Sequence, residues 1–457
     1  MGAIPGSVDT AQQPPMTVPL RHFVVGLGFL IAGSLLGVGI AVDLIPGLGG
    51  LAHVHLLLAG WVCVTIMGAM TQFVPVWSGA SLHSRRLANL QLGLVVAGLV
   101  GFVTAFVLVE LIWLVVFGTV MLCGFWVFVY NIAKTLATSE TLDVTERHFS
   151  TALAFFVVLT LLGVLLAIDL TSPVLSGIGL THTGVRNAHV TIAVFGAVVT
   201  TIYGALYQLG TMFTQTELRG IDHRFGSLEE IGHPVGVIML ATGRLLETAP
   251  IAKIGGALVI VAAGSFAVVL TRKLYEMQVK RTPMHTRYAV VVLALWLWAI
   301  VSVPAWVSAP LAQAHLFGAA GSVHLLVLGV IGFVVLGTLY HIIPFVIWVH
   351  RYSDRLGFED VPMIDDLYDD RLAAIDAILL FTGTVLLVGT DLVYQRPAAT
   401  AAGGALISLG ILVFTTNMVL VLRRHSPHSL DRIVLGSLTP RGSNERADES
   451  VGEERPP

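Results

Sequence analysis

Four histidines stand in apolar stretches of the chain, where an imidazole is costly. His53 and His55 occur in His53-Val-His55-Leu-Leu-Leu-Ala-Gly60, His189 in His189-Val-Thr191, and His324 in Ser322-Val-His324. An ionisable side chain inside a bilayer marks a functional site by default. Neutral imidazole is also a common ligand of transition metals. Imidazoles at matched depth on neighbouring helices would make a metal or haem site. The plainer role is a hydrogen bond from each ring to a carbonyl of the next helix. For His55 and His324, which hold the same register against their glycines, the ligand role is favoured.

Those glycines reveal an internal repeat. Gly60 and Gly68 are followed by Gln72, Gly196 and Gly204 by Gln208, and Gly329 and Gly337 by His341. In each set the glycines lie eight apart and the polar residue follows four later; Pro75 and Pro344 extend the first and third sets. The second glycines are separated by 136 and 133 residues. Small residues at this spacing permit close helix approach, or leave room for a flat ligand.

Composition dictates the elements that carry these residues. Of 457 residues, 55% are hydrophobic and 12% charged, against roughly 25% charged in a soluble domain. Apolar runs long enough to cross a bilayer fall near 20–43, 51–78, 87–109, 112–132, 148–169, 186–213, 228–248, 253–272, 286–308, 314–349, 372–393 and 401–423. With the N-terminus inside, all but Arg186, Arg244, Lys253 and Arg396 of the 25 Lys and Arg fall on the cytoplasmic side. The expectation is an all-α polytopic protein of about twelve transmembrane helices in the cell membrane, with both termini cytoplasmic.

Four spans separate successive copies of the motif, so the units run parallel and are related by rotation about the membrane normal. They cover about 20–140, 145–275 and 285–425, after a polar tail over 1–19 and before a disordered tail over 426–457. The first span reads as an anchor, because no basic region precedes it. Cys63 and Cys123 read as packing residues. The lipid bilayer is the first partner, and nothing in the charge suggests nucleic acid.

At the three motifs the chain resembles subunit I of the haem-copper oxidase superfamily, the oxidases and nitric oxide reductases with twelve helices in three four-helix arcs. The resemblance spans the membrane region in topology and rests on helices two, six and ten for its motifs. It implies a low-spin b-type haem with His324 as one axial ligand and either His53 or His55 as the other. Two residues along a helix turn the side chain by roughly 200°, so only one of that pair faces a given haem. Register with His324 selects His55, whereas a gapped match to the family selects His53.

Other family residues are replaced. Ser322 stands where the resemblance places the high-spin haem ligand, and helix seven offers only His233, near the inner surface, for a copper His-His pair. His189 matches a copper ligand without its partners, so the reading disfavours copper. Arg396, in Tyr394-Gln-Arg396-Pro, is the cation the resemblance assigns to haem propionates, with Arg186 and Arg244 as lesser candidates. Carboxylates such as Asp43, Glu110, Asp169, Glu247 and Asp391 fall at the outer boundary and none is expected at depth, which disfavours proton pumping. Tyr207, Gln208, Tyr340, His341 and Gln72 read mainly as packing residues of the inner half.

The function expected is electron transfer or redox sensing through a bis-His haem, served by quinol or a small redox protein and by other membrane subunits. If the protein is an enzyme, the resemblance makes it an oxidoreductase. A divergent terminal oxidase or nitric oxide reductase, and a haem-free transporter or receptor, are the alternatives.

Overall fold

The computed structural model describes residues 14–139, 141–393 and 396–435. Without water to satisfy backbone groups, a lipid-embedded chain must form helices or a closed barrel. This chain forms helices: α1 (Thr17–Ala41), α2 (Gly49–Ser78), α3 (Arg85–Leu108), α4 (Leu111–Leu136), α5 (Val144–Asp169), α6 (His182–Thr214), α7 (Ile221–Leu245), α8 (Ala249–Tyr275), α9 (Pro283–Ser308), α10 (Leu325–Arg351), α11 (Asp370–Leu392) and α12 (Pro397–His425). Eleven of these are long and apolar enough to cross a membrane. The other is α7, which carries Asp222, Arg224, Glu229, Glu230 and Arg244 and lies along α8. Polar residues fix several starts: Ser84 caps α3, Asp143 and Glu146 form a reciprocal box on α5, and Asp369 caps α11.

Consecutive helices neighbour one another around the bundle, and α12 closes against α1. The most enclosed spans are α2, α6 and α10, buried over 67%, 83% and 78% of their apolar stretches against 28–56% for the rest. They surround a narrow apolar cavity of about 70 Å3. Its walls repeat in register, from Thr65, Thr201 and Val334 at one end to Phe73, Leu209 and Ile342 at the other.

A second regularity lies in the backbone. Each central helix contains eight residues of wider π-helical turn: Leu56–Cys63 in α2, Ile192–Val199 in α6 and Leu325–Gly332 in α10. All three begin four residues before the first glycine of the motif. π-Turns are rare and collect at functional sites.

The motif glycines serve close helix approach. A methyl group added to Gly68 would lie 2.6 Å from His22 Cβ on α1, and one on Gly204 would lie 2.5 Å from His148 Cβ on α5. On Gly337 it would meet Arg287 Cβ of α9 at 3.1 Å. Both glycines of each motif therefore face the preceding helix: Gly60 meets Phe29, Gly196 meets Phe155 and Gly329 meets Ala294.

Three expectations change at the edges of elements. The tenth span starts at Leu325 rather than near 314, because 309–322 forms a folded loop with a short 3-10 turn at Gln313–His315. The seventh starts at Ile221, a full turn or more before the apolar run begins. The tail expected to be disordered from 426 contains α13 (Leu430–Leu435), whose Ile433 is buried and accepts a 2.7 Å hydrogen bond from Arg21 Nε. The two ends of the described chain thus lie on one face. Residues 1–13 and 436–457 of the expected tails, and Tyr394 and Gln395, lie outside the described residues.

Candidate functional site

The four histidines sit at or just before the wide turns. His53 donates Nδ1–H to the Gly33 carbonyl of α1 at 2.8 Å, and His189 donates to the Leu159 carbonyl of α5 at 2.9 Å. Each ring also lies on a glycine one turn further along that helix, Gly37 and Gly163 respectively. His55 donates to Leu51 in its own helix at 2.8 Å and rests on Phe102 and Phe106 of α3, with ring centroids 5.2 and 5.3 Å away. His324 donates to the carboxylate of Asp391 on α11. Carbonyls and carboxylates accept, so each Nδ1 carries a proton and is engaged with its partner. This is the arrangement of a ligating histidine oriented by an outer partner.

The rings fall into two pairs whose members lie within electrostatic reach of each other. His53 and His324 lie within electrostatic reach of each other between α2 and α10. His55 and His189 do so between α2 and α6. All four are half-buried rather than enclosed. The two faces of α2 therefore look into different gaps, and His53 is the histidine that shares one with His324.

The gap between α6 and α10 is different. The registers that carry histidine elsewhere hold Thr191 and Ser322 here. Thr191 accepts from Arg244 at 2.7 Å, and Ser322 donates to the Phe317 carbonyl at 3.3 Å. Phe195, Trp298 and Trp306 fill the space with centroids 5.5–5.7 Å apart. Arg244 is 2% exposed, not an interfacial side chain reaching for headgroups. Its guanidinium also reaches the carbonyls of Pro310, His315 and Leu316, which holds the α9–α10 loop in place.

Arg396 precedes α12 and lines a shallow groove along α11 with Phe381, Val385 and Val393. Arg186 donates to Gln313 at the exposed surface. Cys63 is buried in the wide turn of α2, and Cys123 faces outward from α4. His233 is not near the inner surface: it is fully buried, three turns into α7, and its Nε2 donates to the Phe195 carbonyl at 2.9 Å. That carbonyl belongs to the wide turn of α6 and also accepts from Thr200.

Two buried carboxylates escape the sequence reading. Glu229 is fully buried and accepts from Tyr207 at 2.9 Å, beside His148 Nε2 at 3.1 Å. Asp376, equally buried, pairs with Arg287 and accepts from Tyr340. In the first third of the chain, His22 lies 3.4 Å from the amide of Gln91. Tyr207 and Tyr340 are therefore members of buried polar networks, not simple packing residues. Hydropathy assigns Glu229 and Asp376 to span ends.

Neither the known family models nor the curated proteins contain a match to this chain. The residues themselves limit what the site can hold. Among the described residues, no three His, Cys, Asp or Glu side chains gather to hold an ion. Two imidazoles are too few for a metal bound by protein alone, which takes about three or four ligands. Two imidazoles could instead complete the coordination of an iron whose other positions belong to a porphyrin.

Proposed function

We propose that the chain is a membrane b-type haem protein built on a haem-copper-oxidase-like plan of three four-helix units. Its low-spin haem would lie between α2 and α10, with Nε2 of His53 and of His324 as axial ligands. The observation that carries the reading is this pair, held on α2 and α10 within electrostatic reach of each other with both Nδ1 atoms already committed. The register of the central cavity and the three wide turns supports the threefold plan.

A haem with both axial positions filled supplies one-electron transfer rather than oxygen chemistry. The protein's part is to hold the two rings. Gly33 and Asp391 fix their tautomers, while Asp391 makes the His324 imidazole a stronger donor. Quinol or a small redox protein is the class of donor proposed. Clustering of Lys and Arg on the side shared by the two chain ends supports cytoplasmic termini.

Reduced-minus-oxidised spectra of the purified protein, with and without carbon monoxide, test this reading. A low-spin b-type band indifferent to carbon monoxide is expected. A carbon monoxide shift would favour a divergent oxidase, and a colourless protein would end the haem reading. His324→Ala should remove the α2–α10 haem while the protein remains folded.

A further inference from the structure

We propose that the gap between α2 and α6 is a second porphyrin site, with His55 and His189 as its axial pair. The inference rests on the haem reading above and extends it to a different side of α2.

The geometry repeats that of the first gap part by part. His189 donates to Leu159 and lies over Gly163, just as His53 donates to Gly33 and lies over Gly37. His55 occupies the register of His324, immediately before a wide turn. The third-helix residue behind it is Phe106, where the equivalent contact to His324 comes from Asp391. Each gap thus receives one imidazole from either wall, with Nε2 uncommitted.

The distribution of histidine is the stronger argument. His53 and His324 lie within electrostatic reach at one gap and His55 and His189 at the second, while the helices flanking the third carry Thr191 and Ser322 at these registers. Histidine is present on both walls of a gap or on neither. A ring that only tied its helix to a neighbouring carbonyl would need no counterpart across the gap. Where the pair is missing, Arg244 and Trp298 occupy the space. Two imidazoles within electrostatic reach of each other and without further ligands again suit an iron already held by a macrocycle.

Haem content per chain, measured on the full-length protein against quantitative amino-acid analysis, decides the matter. Two haems b per chain are expected, titrating as two one-electron components. His189→Ala should halve the content and leave the α2–α10 spectrum intact, and that retained haem reports a folded protein. His189→Met, which offers iron a thioether, should restore the content with an altered band. One haem per chain, lost in His324→Ala and unaffected by His189→Ala, would overturn the second site alone. No haem in the wild-type protein would overturn both readings.

Discussion

Asp391 and His324, 67 residues apart in the chain, meet through a carboxylate–imidazole hydrogen bond where α11 ends and α10 begins. This contact orients a ring that the sequence singles out, using a residue that sequence alone leaves at a membrane boundary. An anionic acceptor on Nδ1 makes Nε2 more basic and favours the more oxidised metal. With the proposed haem in place, Asp391→Asn should therefore keep it bound but raise its midpoint potential. Potentiometric titration checks the sign, and a lowered potential would contradict the assigned role.

The pair between Arg287 and Asp376 lies fully buried between α9 and α11. Breaking a buried ion pair costs about 3–5 kcal/mol, because the surviving charge is left uncompensated. Asp376→Asn should lower the thermal unfolding temperature in detergent sharply. Arg287→Met combined with Asp376→Leu should recover most of the loss. If the double variant is no better than the single one, the pair contributes something other than charge compensation.

Arg244 holds the loop between α9 and α10 through three carbonyls and stacks over Trp306. Replacing it with alanine removes every one of these bonds. The segment 309–322 should then become open to protease in reconstituted vesicles, with cleavage mapped by mass spectrometry. The haem spectrum assigned to His53 and His324 should persist, since Arg244 lies at the third gap.

Gly204 has no room for a side chain against His148. Overpacking of this kind costs about 1–3 kcal/mol. Gly204→Ala should destabilise the protein in that range, whereas Gly264→Ala on α8, with nothing within 4 Å, should have little effect. Paired thermal denaturation curves make the comparison.

How much of this is legible in the sequence depends on whether a feature repeats locally. Glycines eight apart with a polar residue four later are visible as a pattern, and they locate α2, α6 and α10 as the interior helices. His53, His55, His189 and His324 stand out because imidazole is rare in apolar runs. What remains hidden is azimuth. Nothing local tells which side of α2 each histidine faces, and that is set by the packing of α1 against His53 and of α3 against His55. Hydropathy also ends a span at its first charges, so Glu229 and Asp376 read as boundary residues although their helices continue outward past them. The role of Asp391 depends on how the start of α10 and the end of α11 meet, which no single-sequence pattern encodes.

The wide turns in α2, α6 and α10 act as phase shifters. An extra residue accommodated within a helix rotates everything on one side of it by about 100° relative to the other. The storey that presents the histidines and the storey that seats the second glycine are therefore set at independent angles. Deleting one residue within 56–63 would leave the lower storey of α2 clamped against α1 and swing both imidazoles out of their gaps. The turn thus separates two design problems, holding the bundle together and aiming its rings, so that either can be altered in one helix without disturbing the other.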